Sequence, residues 1–302
     1  MDKKTTPAPP FVVDSAGERY LFFTYAYVQS RMRLNDPYAL VSTYARKMMA
    51  FLLFLPEPRD VLMIGLGGGS LAKFCYRHLP QTHITVVEIN ADVISLREDF
   101  AIPPDDERFE IIHDDGGAYL ERVAPKRDVI LIDAFDELGV APSLTSPDFY
   151  RQVSQSLTPD GVLVVNLSGK KTRYPLHVRG LCEAFDGSVI LVPVRESDNI
   201  LLFAFKRRPL TEAPQLYERA TNLEAALGLE FHRFLRRLRT GVTLKTNTDP
   251  ACRPCAPDGA GARGLHVAET PRSQPAPLDA EGRSTPQPVA KKLAGTAGTK
   301  TA

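Results

Sequence analysis

Apolar runs and amphipathic segments alternate regularly through the middle of the chain. The apolar runs predict buried strands at 60–66, 83–89, 109–113, 128–133 and 161–167. The segments between them have apolar residues at helical spacing and predict helices at 70–79, 91–100, 118–123, 147–157 and 175–185. Strands that are apolar on both faces are covered by helices on both sides, so this alternation predicts a parallel sheet in an α/β fold.

Two more apolar runs, at 188–194 and 200–205, are joined by the short turn 195–199. This connection is too short for a helical crossover, so the two strands must pair antiparallel. Seven strands that end in an antiparallel hairpin are the outline of the class I AdoMet-dependent methyltransferase-like sheet, which is Rossmann-like.

The rest of the chain has a different pattern from the predicted catalytic domain, 57–208. Residues 1–10 are polar and Pro-rich and are expected to be disordered, whereas 11–56 predict a small β-hairpin followed by a helix. A helical extension is predicted at 209–244. Pro, Ala, Gly, Thr and Ser dominate 245–302, where too few apolar residues remain to offset the entropy of ordering, so we expect a disordered tail.

A glycine-rich loop follows the first strand of the alternation and opens its first helix. It reads Gly-Leu-Gly-Gly-Gly and contains Gly65, Gly67 and Gly69. Glycines allow the backbone to approach a ligand closely, and doubly wound folds bind ligands at this carboxyl edge of the sheet. The loop therefore predicts a nucleoside site.

Acidic residues at the ends of the next two strands extend this predicted site. Glu88 ends the second strand about 20 residues after the loop, where a carboxylate can accept hydrogen bonds from both ribose hydroxyls. Asp115, with Gly116 next to it, follows the third strand, where a side chain can reach the adenine amino group. The spacing alone fits a dinucleotide as well as an AdoMet-type ligand.

Two carboxylates, Asp133 and Asp136, follow the fourth strand. We place Asp133 at the edge of the sheet over the cofactor and Asp136 on the next loop. Such a pair suits a cationic amine, because one carboxylate can hold an ammonium group while the other accepts a proton from the attacking nitrogen. An alkylammonium has a pKa near ~10.4, so little free amine exists at neutral pH and an aligned carboxylate is useful. We predict Asp133 as catalytic and Asp136 as substrate-binding.

The ordered series of these motifs resembles the spermidine synthase family of polyamine aminopropyltransferases. The similar stretches, within about 20–205, are DVLMIGLGGGSLAKF, ITVVEIN, HDDGGAYL and DVILIDAFDELG. The resemblance implies decarboxylated S-adenosylmethionine as aminopropyl donor, a diamine acceptor and methylthioadenosine as product, with no permanently bound cofactor. It also implies roles for single residues. Glu88 resembles the ribose-binding acid, Asp115 the adenine-side acid, Asp133 the base that opens the gatekeeper loop, and Asp136 the amine-binding carboxylate of that loop.

Two N-terminal residues, Gln29 and Tyr44, resemble a Gln and a Tyr that line the family's substrate pocket. Two departures concern the same pocket. The family's glycine loop usually has an Asp that helps to hold amino groups, and Gly68 stands at that position. The family's His-Glu after the pocket Tyr is also missing, and Ala-Arg-Lys stands at 45–47. The sequence is most similar to a spermidine synthase-like bacterial branch with GLGGGSL, whose substrates this motif does not define.

Three functions remain open at this point. The first is aminopropyl transfer to an amine. The second is methyl transfer from intact AdoMet, which Gly68 favours because fewer pocket acids tolerate the AdoMet carboxylate, and which the lack of an NPPY-type motif disfavours. The third is a non-catalytic nucleoside-binding protein, because fold does not imply function.

Charge and composition limit the partners and the location. A net charge of +1 provides no global field for nucleic acid or an anionic membrane, so we expect a small-molecule partner and no nucleic acid. The N-terminus lacks an apolar signal-peptide region and the longest apolar run is too short for a bilayer, so we expect a cytoplasmic protein without membrane association. Relatives of the resembled family associate through the N-terminal β region, which is short here, so we expect at most a homodimer.

Two other motifs receive plain interpretations. The basic stretch RFLRRLR at 233–239 is interpreted as a solvated helix face with Leu235 and Leu238 packed inward. The Cys252–Cys255 pair has too few further ligands nearby for zinc, so no metal site is expected.

Overall fold

The computed structural model describes residues 9–24, 27–122, 126–136, 139–140, 144–169, 174–207, 209 and 213–244. The predicted disordered tail, 245–302, lies outside the described residues together with Cys252 and Cys255. The predicted disordered N-terminus also lies outside them, except for residues 9 and 10. Among the described residues, no helix is both long enough and apolar enough to cross a membrane.

The strands of the described chain are β1 (Phe11–Ser15), β2 (Glu18–Thr24), β3 (Tyr27–Arg33), β4 (Asp60–Ile64), β5 (His83–Glu88), β6 (Phe109–His113), β7 (Arg127–Ile132), β8 (Phe135–Asp136), β9 (Gly139–Val140), β10 (Leu157–Leu167), β11 (Val189–Pro193), β12 (Ile200–Phe205) and β13 (Val242–Leu244). The helices are α1 (Thr43–Met48), α2 (Ser70–His78), α3 (Ala91–Ser95), α4 (Gly116–Arg122), α5 (Pro147–Ser156), α6 (Tyr174–Ala184), α7 (Pro214–Leu227) and α8 (Phe231–Thr240). A 3₁₀ helix, Met49–Leu53, continues α1.

The central sheet has the strand order β13-β11-β12-β10-β7-β4-β5-β6. Strands β10, β7, β4, β5 and β6 are parallel, whereas β12 pairs antiparallel with β10 and β11 pairs antiparallel with β12. The predicted class I AdoMet-dependent methyltransferase-like fold and its terminal hairpin are thus confirmed. An eighth strand, β13, pairs antiparallel with β11 and extends the predicted seven-stranded sheet. Its three residues are too few to produce a recognisable period in the sequence.

Both faces of the sheet are buried, as the continuous apolar runs require. In β4, Val61 and Met63 face one core, which includes the 3₁₀ helix, while Leu62 and Ile64 face the other, which includes residues of α5 and α6. Because the side chains of a strand alternate between faces, every position of a central strand needs an apolar residue. Because these strands are parallel, their carboxyl ends lie together at one edge of the sheet, and the site forms there.

The N-terminal region is a three-stranded antiparallel sheet, β1-β2-β3, one strand more than the predicted hairpin. Ala16 and Gly17 both have positive φ angles, as expected for a tight hairpin turn whose twist matches the flanking strands. Leu21 and Met32 are buried and join this sheet to the main core.

The predicted helical extension is divided in two. The sequence predicted one helical extension at 209–244, but α7 ends where Gly228 adopts a left-handed conformation with φ +65°. In α8, Phe234, Leu235 and Leu238 are buried, which confirms the inward packing predicted for the basic stretch. The predicted helix at 91–100 is also shorter, because α3 ends at Ser95 and gives way to turns.

Candidate active site

The glycine loop between β4 and α2 lies directly against the end of β7. A Cβ atom on Gly65 would lie 2.4 Å from the carbonyl oxygen of Asp133, so only glycine permits this approach. Gly67 and Gly69 have positive φ angles, and Gly69 is the N-cap of α2. The loop and Asp133 therefore border the same space at the carboxyl edge of the sheet.

Gly68 has no room for a side chain. A Cβ atom there would lie 2.7 Å from the Ser30 hydroxyl oxygen and 2.9 Å from a ring carbon of Phe100. A larger residue at this position would have to displace one of these side chains. The neutral Ser30 hydroxyl, which lies on β3 and was not predicted, thus stands beside the loop.

Glu88 ties the glycine loop to the end of β5. Its side chain is buried, and its two carboxylate oxygens accept the backbone N–H groups of Leu66 at 2.8 Å and Asn90 at 2.9 Å. Each carboxylate oxygen has more than one lone pair, so both can still accept a ligand hydroxyl. Glu88 thus lies beside the glycine loop at the carboxyl edge of the sheet, and its contact with a ribose stays a prediction.

Asp115 caps helix α4. Its Oδ1 atom accepts the backbone N–H groups of Gly117 at 2.9 Å and Ala118 at 3.0 Å. A Cβ atom on Gly116 would lie 2.5 Å from the Ile64 side chain, so Gly116 lets α4 pack on β4. Both residues thus have a structural reason to be present, and their contact with a nucleoside stays a prediction.

Asp133 and Tyr44 are brought together from distant parts of the sequence. The Tyr44 hydroxyl, on α1, donates a hydrogen bond to the Asp133 carboxylate, which follows β7. Burial raises the pKa of Asp133, and the hydrogen bonds from Asn166 and Tyr44 oppose that rise. Burial and the Asp133 charge raise the pKa of Tyr44 well above its usual value. The tyrosine therefore stays protonated and acts as a donor.

Asn166 and Asn199 complete this arrangement and were missed by the sequence reasoning. The Nδ2 atom of Asn166, on β10, donates to Asp133 Oδ1 at 2.8 Å. The Nδ2 atom of Asn199, in the turn between β11 and β12, donates to Asn166 Oδ1 at 2.9 Å. Asn166 is the one polar residue in the apolar run at 161–167, and that anomaly could have drawn attention to it.

The basic residues after Tyr44 do not line the pocket as unpaired charges. Arg46 pairs with Glu230 at 2.7 Å, and the buried Lys47 pairs with Glu196 at 2.5 Å. The partners of these two residues come from the C-terminal part of the chain. Their charges form ion pairs that join α1 to other elements of the fold.

For the two remaining predicted residues, Gln29 and Asp136, the structure gives the backbone position. Gln29 is the extra residue of a bulge in β3, because Leu21 pairs with Ser30 while Phe22 pairs with Val28. A bulge of this kind redirects a side chain, and bulges are frequent beside active sites. The backbone of Asp136 pairs with Gly139, but its side chain lies outside the described part of the chain. The pocket roles of Gln29 and Asp136 stay predictions.

The glycine loop, a buried acid at the end of β5 and a hydrogen-bonded carboxylate at the end of β7 share one edge of the sheet. Together with the strand order, this arrangement defines a transferase-like protein of the class I AdoMet-dependent fold.

Comparison with known proteins agrees with this class. The family described as "Spermine/spermidine synthase domain" matches residues 38–178. A polyamine aminopropyltransferase of Chromobacterium violaceum is 40% identical over 214 residues, which are 70% of this chain and 82% of the relative. The chain therefore belongs to the spermine/spermidine synthase family, and it is a transferase of that family.

Solved structures show the same fold. A "probable spermidine synthase" from Corynebacterium glutamicum has a TM-score of 0.61 at 19% identity, covering 87% of this chain and 95% of its own. A spermidine synthase in complex with the transition-state analogue AdoDATO has a TM-score of 0.54 at 19% identity, covering 76% of this chain and 84% of its own. At these identities the likeness concerns the fold.

Proposed function

We propose that this chain transfers an aminopropyl group from decarboxylated AdoMet to an amine acceptor, as an aminopropyltransferase of polyamine biosynthesis. The single observation that best supports this reaction is the half-buried Asp133, which is held by Tyr44 and Asn166 beside the glycine loop. Membership of the spermine/spermidine synthase family supplies the reaction class.

In this proposal the acceptor nitrogen attacks the methylene carbon next to the donor's sulfonium. A carbon–nitrogen bond forms, the carbon–sulfur bond breaks, and its electron pair neutralises the sulfur as methylthioadenosine leaves. Before the attack, the ammonium group of the acceptor passes one proton to Asp133, which frees the lone pair of the nitrogen. Burial makes Asp133 a stronger base than an exposed carboxylate, and the hydrogen bonds from Tyr44 and Asn166 orient it. Most of the catalysis then consists of alignment of nitrogen, carbon and sulfur in a water-poor site.

In the same proposal, the nucleoside half of the donor binds between the glycine loop and the ends of β5 and β6. Glu88 would accept the ribose hydroxyls, and the backbone of Gly65, Gly67 and Gly69 would lie against the donor. Asp115 would face the adenine with the part of its carboxylate that does not cap α4. Asp136 and Gln29 would contact the acceptor amine.

A second function is favoured by one observation, the neutral surroundings of Gly68. Ser30 and Phe100 fill the space beside the loop, so the donor's side chain meets a hydroxyl and a ring where relatives offer a carboxylate. Such a site repels the carboxylate of intact AdoMet less strongly. Methyl transfer from AdoMet is therefore the alternative.

Calorimetric titration with decarboxylated AdoMet, AdoMet and methylthioadenosine distinguishes the two functions. The purified chain would then be incubated with the tighter donor and putrescine, and the nucleoside product identified by chromatography. We expect decarboxylated AdoMet to bind more tightly and methylthioadenosine to form with the amine. Preferred binding of AdoMet with formation of S-adenosylhomocysteine would favour methyl transfer, and binding of a nucleoside without turnover of any amine would contradict aminopropyl transfer.

The homodimer and the cytoplasmic location stay predictions that rest on the sequence and on the resemblance to the family. Light scattering during size-exclusion chromatography measures the first directly.

A further inference from the structure

The turn between β11 and β12 contacts Asn166, which binds Asp133, and the helix that carries Tyr44. On one side, Asn199 donates to the Asn166 amide at 2.9 Å, and that amide donates to Asp133 at 2.8 Å. Asn166 is only 2% exposed, so water has little access to replace either contact. The position of Asp133 is thus linked to a residue that does not touch it.

On the other side, the same turn fixes the helix of Tyr44. Glu196 accepts a hydrogen bond from the buried Lys47 at 2.5 Å and also pairs with Arg233 of α8 at 2.5 Å. Lys47 follows Tyr44 by three positions on α1, a spacing that places both side chains on one side of the helix. One turn therefore contacts Asn166 directly and the helix of Tyr44 through Lys47.

The contact between Asn199 and Asn166 has a further consequence, because the two ends of an amide have nearly the same shape. Either the amide nitrogen or the amide oxygen of Asn166 could face Asp133 without a change in packing. The nitrogen donates to the carboxylate, whereas the oxygen would repel it. Asn199 presents its Nδ2 donor to the other end of the amide, a contact that exists only in the orientation in which the Asn166 nitrogen faces Asp133.

We propose that Asn199 is a positioning residue of this enzyme, which acts through Asn166 to keep the Asp133 carboxylate oriented and ionised. The catalytic consequence rests on the proposed function, whereas the orientation of the Asn166 amide does not. The other groups that act on this centre are Tyr44 from α1, as a donor to Asp133, and Arg31 from β3, whose charge acts on Tyr44.

The inference predicts that an acceptor at position 199 raises the pKa of Asp133, whereas the native donor keeps this pKa lower. In Asn199→Asp the new carboxylate accepts from the Asn166 nitrogen, which turns the amide so that its oxygen faces Asp133. Asp133 then has to keep a proton to avoid two facing acceptors, so its pKa rises. In Asn199→Ala the donor is lost without a replacement, and a smaller rise is expected.

Ser197→Asp is the matched control for charge. Ser197 is exposed in the same turn, and its hydroxyl accepts the backbone N–H of Asn199 at 3.4 Å, a contact that an Asp side chain can also make. This variant adds the same charge to the turn without a partner in the Asn166 amide. A purely through-space effect would therefore appear in both Asp variants.

The test is an NMR titration of the full chain labelled with ¹³C at the aspartate carboxyl carbons, in which the Asp133 signal is assigned by its loss in Asp133→Asn. We expect Asn199→Asp to raise the midpoint of the Asp133 titration by about one pH unit or more, a tenfold change in proton affinity. Asn199→Ala should raise it less, and Ser197→Asp should leave it near the wild-type value. Thermal unfolding and methylthioadenosine binding check that each variant is folded.

Equal shifts in Asn199→Asp and Ser197→Asp would overturn the inference, and so would an unshifted Asp133 in Asn199→Asp. If Asn199→Asp does not fold, an unshifted Asp133 in Asn199→Ala decides against it. If the wild-type protein is active, the acidic limb of the kcat/KM profile of each Asn199 variant should move with the NMR midpoint of Asp133. A wild type that transfers nothing contradicts the proposed function, and the NMR comparison still decides the role of Asn199.

Discussion

The Tyr44 hydroxyl donates a hydrogen bond to the Asp133 carboxylate. This contact joins a helix that precedes the glycine loop to the residue that follows β7, and it places a protonated phenol against a half-buried acid. In the proposed reaction, the amine loses its proton at this pair. Two of the predictions below concern the pair, and two concern the packing around the glycine loop and α2.

Asp133→Asn is expected to reduce kcat by about 10²–10⁴-fold, because an amide cannot accept the proton of the attacking nitrogen. Nucleoside binding should change little, since the glycine loop contacts the backbone of this residue. Asp160→Asn is the control, because Asp160 pairs with Arg207 near the start of β10, away from this edge of the sheet. Steady-state kinetics together with calorimetry measure both effects, and undiminished turnover would contradict the role of Asp133.

Tyr44→Phe is expected to move the acidic limb of the kcat/KM profile to higher pH. The Tyr44 hydrogen bond lowers the pKa of Asp133, so its loss raises that pKa and leaves less ionised Asp133 at acidic pH. Activity should fall most below the new pKa and recover as pH increases. Tyr20→Phe, which removes a hydroxyl bonded to Glu18 in the N-terminal sheet, should leave the limb in place. If the acidic limb lies at the same pH in Tyr44→Phe and in Tyr20→Phe, Tyr44 does not influence the pKa of Asp133.

Lys73→Met is expected to change how stability depends on pH. Lys73 is fully buried, its ammonium donates to the Phe100 carbonyl at 2.6 Å, and burial lowers its pKa to about 7. The unfolded chain binds a proton there up to its ordinary pKa near ~10.4, so between these values the unfolded state binds more protons and stability increases with pH. The destabilisation is complete below about pH 7.

The measurement is urea unfolding of wild type and Lys73→Met from pH 6 to 10. The difference in unfolding free energy should change by up to ~1.4 kcal/mol per pH unit between pH 8 and 10, with the wild type gaining. The comparison removes the contribution of other titrating groups. Parallel curves for the two proteins would show that Lys73 does not titrate in the folded state.

Gly68→Ala is expected to destabilise the chain by about 1–3 kcal/mol, the usual cost of overpacking. The new Cβ would lie within 3 Å of both Ser30 and Phe100. Gly68→Asp should be at least as unstable, and Ser30→Gly should recover part of the loss in either background. Unfolding by urea tests the series, and an unaffected Gly68→Ala would show that the two neighbours move freely.

The order of strands and helices from 57 to 208 could be predicted from the sequence alone. Buried parallel strands need apolar residues at every position, and this requirement leaves a pattern that is visible without a structure. The glycine loop and the acids Glu88 and Asp133 could be predicted for the same reason, because each follows directly from the end of a recognised strand. These features depend on local sequence and on the shared carboxyl edge of a parallel sheet.

The sequence by itself thus determined the fold class and the positions of the glycine loop and of the acidic residues at the carboxyl edge of the sheet. Tertiary structure decided which groups surround these residues. Tyr44, Asn166 and Asn199 come from three separate elements, and Ser30 and Phe100 close the space at Gly68 from two more. Hydrogen bonds and close contacts between distant segments depend on how elements pack, and packing leaves no period in the sequence. The resemblance named Tyr44 as a pocket residue, but its contact with Asp133 and the other contacts are seen only in the folded chain.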